Sequence, residues 1–166
     1  MTSIQKITPS LWFEDNCEEA INFYISIFPN SRIVTNKYYP EGVAEGPMAG
    51  MKGKILTGVF ELAGQRFMAL DGGPVFKFTG AISFVVECDT QEEIDHYWKK
   101  LSAVPEAEQC GWCTDKYGVT WQIIPSVLGE MMLNEDPQKV ARVIEAFMPM
   151  KKFDISKLEA AYRGDN

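Results

Sequence analysis

The segment Cys110-Gly111-Trp112-Cys113 suggests chemistry most directly, because a C-x-x-C pair can carry out thiol–disulfide exchange. A working pair usually begins a helix, whose dipole lowers the thiol pKa. Here the motif precedes turn-forming residues at 114–118 and a strand-like run at 119–124. An extended motif would hold the two Cα atoms about 10 Å apart, beyond the roughly 7 Å that a disulfide spans. We therefore expect packing cysteines, with all four thiols reduced in a cytoplasmic protein.

Carboxylates offer a second kind of chemistry. Glu87, Glu61 and Asp71 lie in or beside predicted strands, and a carboxyl group in an apolar cavity can act as acid or base near neutral pH. Glu87 is a weak catalytic candidate, with an ordinary strand carboxylate as the alternative. Asp71 precedes two glycines, which is more typical of a turn. His96, the only histidine, falls on a predicted helix without a nucleophile motif nearby, so a Ser-His-Asp triad is not expected.

The chain contains an internal repeat. A segment beginning at Asp15 is echoed 74 residues later by one beginning at Asp89. Each follows a strand-like run and starts a helix with a capping-box pattern, in which Asn16 or Thr90 is the cap. Two copies of one strand–helix unit predict two modules fused into one fold. Further strands are predicted at 31–39, 54–62 and 65–70, then near 108–114 and at 119–124, and helical periodicity returns after residue 126.

Composition excludes several classes of partner. The chain has 166 residues, of which 46% are apolar and 23% charged, as in a soluble globular protein. Its apolar runs are shorter than the roughly 20 residues of a membrane span, so no membrane partner is expected. The net charge of −7 and the lack of a basic cluster would repel a phosphate backbone. Nucleic acid is therefore not an expected partner.

Several segments together resemble a known family. The paired modules are similar to the vicinal oxygen chelate superfamily, which includes glyoxalase I, extradiol dioxygenases and bleomycin-resistance proteins. Within it the chain most closely resembles the PhnB-like group, often labelled "3-demethylubiquinone-9 3-methyltransferase" domain. The resemblance spans residues 7 to 125 and rests on the segments 7–13, 18–20 with 23–24, 70–74 with 76–78, 109–112, 115–118 and 121–122.

The resemblance implies an α+β fold. Two βαβββ modules, each curling its strands, would form a half-open barrel, followed by a helical C-terminal tail. We expect a single domain over residues 1–166, with a first module at 4–74, a second, shortened module at 80–125 and the tail at 126–166. The tail either seals the domain's own core or docks on a second subunit.

Strand alternation predicts which side chains face the pocket of such a barrel. Ser83, Val85 and Glu87 share one face of their strand, and Gln122 would face the same way on the last strand. By the repeat offset, Leu11 and Phe13 correspond to Val85 and Glu87. The expected ligand pocket is therefore apolar with a few polar anchors, as small-molecule sites are. Tryptophans could stack on a flat ligand there, although strand aromatics are more often core.

A metal site is not expected. Metal-using relatives hold a divalent ion with His and Glu on the first and last strands of each module. The corresponding positions here fall within 7–9 and 81–83, near 68–69 and at Gln122, and none is His, Asp or Glu. Methyl transfer from S-adenosylmethionine usually needs a glycine-rich turn into a helix, and Gly72-Gly73 does not begin one. We therefore expect no cofactor.

Two functions remain open. The first is a metal-free, PhnB-like protein that binds a small, partly aromatic or amphipathic organic molecule of unknown identity. The second is an enzyme acting on a small metabolite, with Glu87 as base, with glyoxalase- or dioxygenase-like metal chemistry, or with the methyltransferase activity that the family label implies. The missing ligands favour the first. By analogy with the superfamily, a homodimer is expected.

Overall fold

The computed structural model describes residues 5–41, 46 and 48–165. The chain divides into two compact units, one ending at Lys77 and the other beginning at Phe78. The predicted limits of the first module and of the tail, Ile4 and Asn166, lie outside the described residues. Among the described residues, no helix is long and apolar enough to span a bilayer.

The first unit is a four-stranded mixed sheet with one helix. Its strands have the order β1-β4-β3-β2, with β1 parallel to β4 and the other neighbours antiparallel. The helix α1 packs on one face, where Ile21 lies against Gly58 of β3. The elements run β1 (Ser10–Phe13), α1 (Cys17–Ile27), β2 (Arg32–Tyr38), β3 (Ile55–Leu62) and β4 (Gln65–Asp71).

The second unit is a three-stranded mixed sheet with helices around it. Its strands have the order β5-β7-β6, with β5 parallel to β7 and β6 antiparallel to β7. The elements run β5 (Ser83–Cys88), α2 (Gln91–Leu101), a 3-10 turn (Pro105–Ala107), β6 (Trp112–Thr114), β7 (Thr120–Pro125), α3 (Ser126–Met132), α4 (Pro137–Phe147) and α5 (Ile155–Arg163). The predicted α+β class, the βαβββ order of the first module and the shortened second copy are confirmed.

The two repeated helices begin in different ways. In α2, Thr90 accepts a hydrogen bond from the Glu93 backbone N–H at 3.2 Å, as the capping box predicts. In α1, Asn16 makes no such bond, so that part of the prediction is wrong. Asp71, from the end of β4, instead accepts a hydrogen bond from the Cys17 N–H at 2.8 Å. A carboxylate from another strand therefore stabilises the start of α1.

Side-chain contacts hold the C-terminal helices to α2. The Gln91 side chain donates to the Phe153 carbonyl at 3.1 Å and accepts from the Ile155 N–H at 2.9 Å, at the start of α5. Beside it, Lys152 donates to Asp95 at 2.5 Å, and this bond lowers the pKa of the Asp95 carboxyl. These contacts join the start of α5 to α2 within the second unit.

Candidate functional site

The open face of the second sheet brings together the predicted pocket residues of that module. Parallel pairing sets Ser83 opposite Thr120 and Val85 opposite Gln122, and antiparallel pairing sets Trp112 opposite Gln122. Paired residues share a face of the sheet. We use "open face" for the eight positions Ser83, Val85, Glu87, Trp112, Thr114, Thr120, Gln122 and Ile124. The alternate residues Phe84, Trp121 and Ile123 point to the other face, where Trp121 and Ile123 are buried.

Ser83 and Gln122 form a fixed polar pair in the middle of this face. The Gln122 Nε2 donates a hydrogen bond to the Ser83 Oγ at 2.8 Å, across the parallel pair of strands. Both side chains are half-buried. The bond holds the Gln122 amide in one orientation. A ligand that binds the carbonyl oxygen therefore does not have to restrict a freely rotating side chain, which would cost entropy.

Apolar groups flank the pair and remain accessible. Val85 is 56% exposed and Trp112 is 36% exposed, one on each edge strand of the sheet. Ile124 is half-buried on the same face. Glu87, the weak catalytic candidate, is exposed at the edge strand β5. The arrangement can accept hydrogen bonds and cover a flat apolar group, while Glu87 does not sit in an enclosed apolar cavity within this unit.

Leu11 and Phe13 do not belong to an open face, so their predicted role as pocket residues is corrected. They are 7% and 2% exposed. Leu11 pairs with Ala69, which in turn pairs with Gly58 on the face covered by α1. The connection from β1 to α1 has three residues, whereas that from β5 to α2 has two. When the two modules are aligned on their helices, this extra residue shifts the strand by one position. Because side chains alternate with a period of two, Leu11 and Phe13 then point to the opposite face from Val85 and Glu87.

Trp12 lies on the opposite face of β1 from Leu11 and Phe13. Its indole N–H donates to the Gly73 carbonyl at 2.9 Å, and its ring meets Phe76 edge-on with centroids 5.0 Å apart. A side chain at Gly72 would overlap the indole ring. The sequence named the tryptophans as possible stacking residues, but only the register separates Trp12 and Trp112, which are not buried, from Trp121, which is.

The other carboxylates considered for catalysis have structural partners. Asp71 is buried and accepts from the Ile55 N–H at 2.9 Å as well as from the start of α1, so it is not the turn residue that the sequence predicted. Glu61 accepts from Arg32 at 2.8 Å, and this hydrogen bond lowers the pKa of the Glu61 carboxyl. His96 is exposed on α2, where its ring contacts the Tyr97 ring.

The cysteine motif is a turn followed by a strand. Cys110 and Gly111 have φ values of 47° and 81°, and the flanking Gln109 and Trp112 exchange both backbone hydrogen bonds. This is the backbone of a two-residue hairpin turn, so the extended geometry predicted for the motif is wrong. Cys113 is buried, which raises the pKa of its thiol to about 12. The thiol therefore stays protonated at neutral pH, as in a packing residue.

The residues present do not fit the divalent metal ion that metal-using relatives hold. Where the first and last strands of each unit run side by side, the nearest side chains are Ser83, hydrogen-bonded to Gln122, in one sheet and Ser10, paired with Met68, in the other. Hydroxyl, amide and thioether groups lack the carboxylates and imidazoles that divalent ions prefer. Within residues 5–41, 46 and 48–165, no three His, Cys, Asp or Glu side chains are grouped to hold a metal.

The glycine pair after β4 does not form a nucleotide-type cofactor turn. Methyl transfer from S-adenosylmethionine would need a strand–turn–helix arrangement there. The chain instead passes from Asp71 through Gly72 and Gly73 to the strand β5 without an intervening helix. Gly72 is required for the packing of Trp12, and Gly73 has a φ of 79°, which favours glycine. The geometry of this segment is thus explained by local packing.

Comparisons with known proteins agree with this architecture. The family model described as 3-demethylubiquinone-9 3-methyltransferase matches residues 5–124. A solved structure of a PhnB protein from Bacillus cereus, described by the same methyltransferase name, is 41% identical, covers 74% of this chain and 100% of its own, and has a TM-score of 0.62. A Pseudomonas aeruginosa protein is 22% identical, covers 74% of this chain and 98% of its own, and has a TM-score of 0.58, which supports the fold alone. No curated protein matches the chain.

The matched segment contains β1 to β6, the two repeated helices and all but the last residue of β7. It ends at residue 124, so α3, α4 and α5 lie beyond it. From the family model and the Bacillus cereus structure together, the chain belongs to the PhnB-like, 3-demethylubiquinone-9 3-methyltransferase family.

Proposed function

We propose that this protein binds a small, partly aromatic or amphipathic organic molecule on the open face of the second unit, without a metal ion. The observation that supports this most is the hydrogen-bonded Ser83–Gln122 pair between exposed apolar side chains. A few fixed polar groups on an otherwise apolar surface are what small-molecule sites use for orientation and specificity. The resemblance of this family to the glyoxalase superfamily supports binding or conversion of a small molecule at a general level.

The donor set supports the metal-free form of this proposal. Gln122 is engaged with Ser83 through its Nε2, and one carbonyl oxygen remains to face a ligand. One neutral oxygen is a poor site for a divalent ion but a good acceptor for an organic N–H or O–H. The residues of the open face therefore suit an organic ligand better than glyoxalase-like metal chemistry.

Native mass spectrometry of freshly purified, untagged protein tests the proposal. We expect an intact mass that exceeds the denatured mass by a small organic molecule. The Gln122→Ala variant should lose that extra mass, whereas Gln138→Ala, on the exposed surface of α4, should keep it. A stoichiometric divalent metal, or an extra mass that Gln122→Ala retains, would contradict the proposal. The same spectrum reports the number of subunits, for which we propose two.

An enzyme is the second candidate, and one observation favours it. Glu87 is exposed on the same face as the polar pair, two residues along β5 from Val85. A carboxylate in that place could accept a proton from a bound molecule. In that case turnover would depend on pH, and Glu87→Gln would abolish turnover while the affinity for substrate survived. A binding protein would show affinity with no turnover in either form.

A further inference from the structure

We propose that the ligand of the open face is a small organic cation, a protonated amine or amidine attached to a flat apolar group, rather than a carboxylate or a phosphorylated compound. This inference rests on the proposed function and adds the chemical class of the ligand. It follows from the hydrogen-bonding atoms, the charge and the aromatic surface that the open face presents.

The charged hydrogen-bonding group on this face is an acceptor, although the neutral hydroxyls and the Trp112 indole N–H can also donate. Because Gln122 donates to Ser83 through Nε2, its carbonyl oxygen is turned away from that bond and can accept. Glu87, when ionised, offers two further acceptor oxygens and no donor. Within the part of the chain that the structure describes, neither the Gln122 carbonyl oxygen nor the Glu87 carboxylate has a hydrogen-bond partner. A ligand that donates hydrogen bonds would satisfy these atoms.

The charge of the face is negative and uncompensated. Among its eight positions, Glu87 is the one with a charged side chain, and no lysine or arginine stands on these strands beside it. The first unit provides the contrast, because Glu61 on its sheet is paired with Arg32 at 2.8 Å and Arg66 at 3.4 Å. An anionic ligand would be repelled by Glu87, and the net charge of −7 would oppose its approach.

The aromatic surface suits the remainder of such a ligand. Trp112 is exposed, and its ring can stack on a flat aromatic group of the ligand. Trp112 and Glu87 lie two strands and two residues apart, which corresponds to about 10 Å across the sheet and about 7 Å along it. A flat group of one or two rings with a short amino-alkyl arm can therefore cover Trp112 and Val85 while its nitrogen reaches toward Glu87.

Three ligands that share one ring system and differ in charge test the inference: 2-(1-naphthyl)ethylamine, 2-(1-naphthyl)ethanol and 1-naphthylacetate. Titration calorimetry on the intact protein at low salt should give the tightest binding for the amine and the weakest for the acid. Glu87→Gln should weaken binding of the amine about two- to fivefold, the usual value of an exposed ion pair. It should weaken binding of the alcohol less than binding of the amine, because the alcohol can donate a hydrogen bond to Glu87 but carries no charge to pair with it.

Glu92→Gln is the matched control. It changes the net charge equally, but Glu92 lies in the first turn of α2, away from the open face, so the affinity for the amine should stay at the wild-type value. Equal effects of the two variants, tighter binding of the alcohol or the acid, or binding of none of the three would overturn the inference. If the alcohol or the acid binds and Gln122→Ala weakens it, the proposed binding function stands and the cationic class alone fails. If Gln122→Ala changes neither these affinities nor the retained mass, the proposed function fails as well.

Discussion

Replacing Asp71 should destabilise the first unit more than any exposed carboxylate would. The side chain is 1% exposed and joins three parts of this unit. Its two oxygens accept from the Cys17 N–H at 2.8 Å and the Ile55 N–H at 2.9 Å, and its own carbonyl accepts from the Tyr39 hydroxyl at 2.9 Å. Asp71→Ala removes the first two bonds and leaves both N–H groups buried without an acceptor.

The size of the effect follows from those two bonds. A hydrogen bond to a charged group contributes about 1.5–3 kcal/mol, and an unsatisfied buried donor costs about 1–3 kcal/mol. Both ranges are estimates for the loss of one bond, so they are not added together. For the two bonds, we expect Asp71→Ala to lower the free energy of unfolding by about 3–5 kcal/mol. Asp71→Asn keeps one acceptor oxygen but turns an NH₂ group toward the second N–H, so we expect a loss of about 2–3 kcal/mol.

Urea unfolding followed by circular dichroism measures these losses, and amide hydrogen exchange locates them. The amides of Cys17 and Ile55 should exchange faster in both variants. Asp15→Ala is the matched control, because Asp15 is exposed in the connection just before α1 and its hydrogen bond from Lys54 uses the backbone carbonyl. If Asp71→Ala came within about 1 kcal/mol of Asp15→Ala, the assigned role of the buried carboxylate would be refuted.

Three further predictions concern packing, thiol reactivity and the tail. Gly72→Ala should cost about 1–3 kcal/mol in urea unfolding, because the new methyl group would displace the Trp12 ring; an unchanged midpoint would contradict this contact. At pH 8 in native protein, one thiol per chain should react rapidly with a disulfide reagent, and Cys110→Ser should abolish that reaction, since the other three cysteines are buried and their thiol pKa values are raised. Rapid labelling of a second thiol would show that burial does not protect it. Gln91→Ala should speed amide exchange at the start of α5, with Ile155 affected first, and unchanged protection there would mean that other contacts hold the tail.

The open face of the second unit could be predicted from the sequence. Ser83, Val85 and Glu87 alternate with apolar residues that suit a covered face, and Gln122 stands among apolar neighbours in the same way. Period-two alternation is enough to assign such faces when one side is buried. The role of these residues in binding a ligand stays a prediction.

Leu11 and Phe13 were assigned to the wrong face because the offset of 74 residues relates the two helices but not the strands that precede them. The helices are related by 74 residues, but the strands before them are not, since one connection is a residue longer. The strand itself, Ser10–Phe13, contains only apolar and aromatic residues after Ser10, so its own pattern does not reveal the covered face. Pairing with β4 settles the faces, and pairing between strands so distant in sequence cannot be read from local pattern.

Asp71 illustrates a second limit of the sequence. Its position before two glycines is typical of a turn, and Asn16 is a favourable cap by type. The fold brings Asp71 to the start of α1, 54 residues away in sequence, where a carboxylate replaces the neutral cap. Tertiary contacts of this kind override the local preferences of Asn16 for a helix cap and of Asp71 for a turn. The residues around either position do not predict such contacts.

Side-chain NMR of the bound protein tests the central claim most directly. On titration with 2-(1-naphthyl)ethylamine, or with the molecule retained through purification, the Gln122 amide and the Trp112 indole N–H should shift with one common dissociation constant. The Gln138 amide and the Trp121 indole N–H, which is bonded to buried Asp115 at 2.8 Å on the opposite face, should stay in place. Saturable binding that leaves both Gln122 and Trp112 unshifted would place the ligand elsewhere and contradict this account.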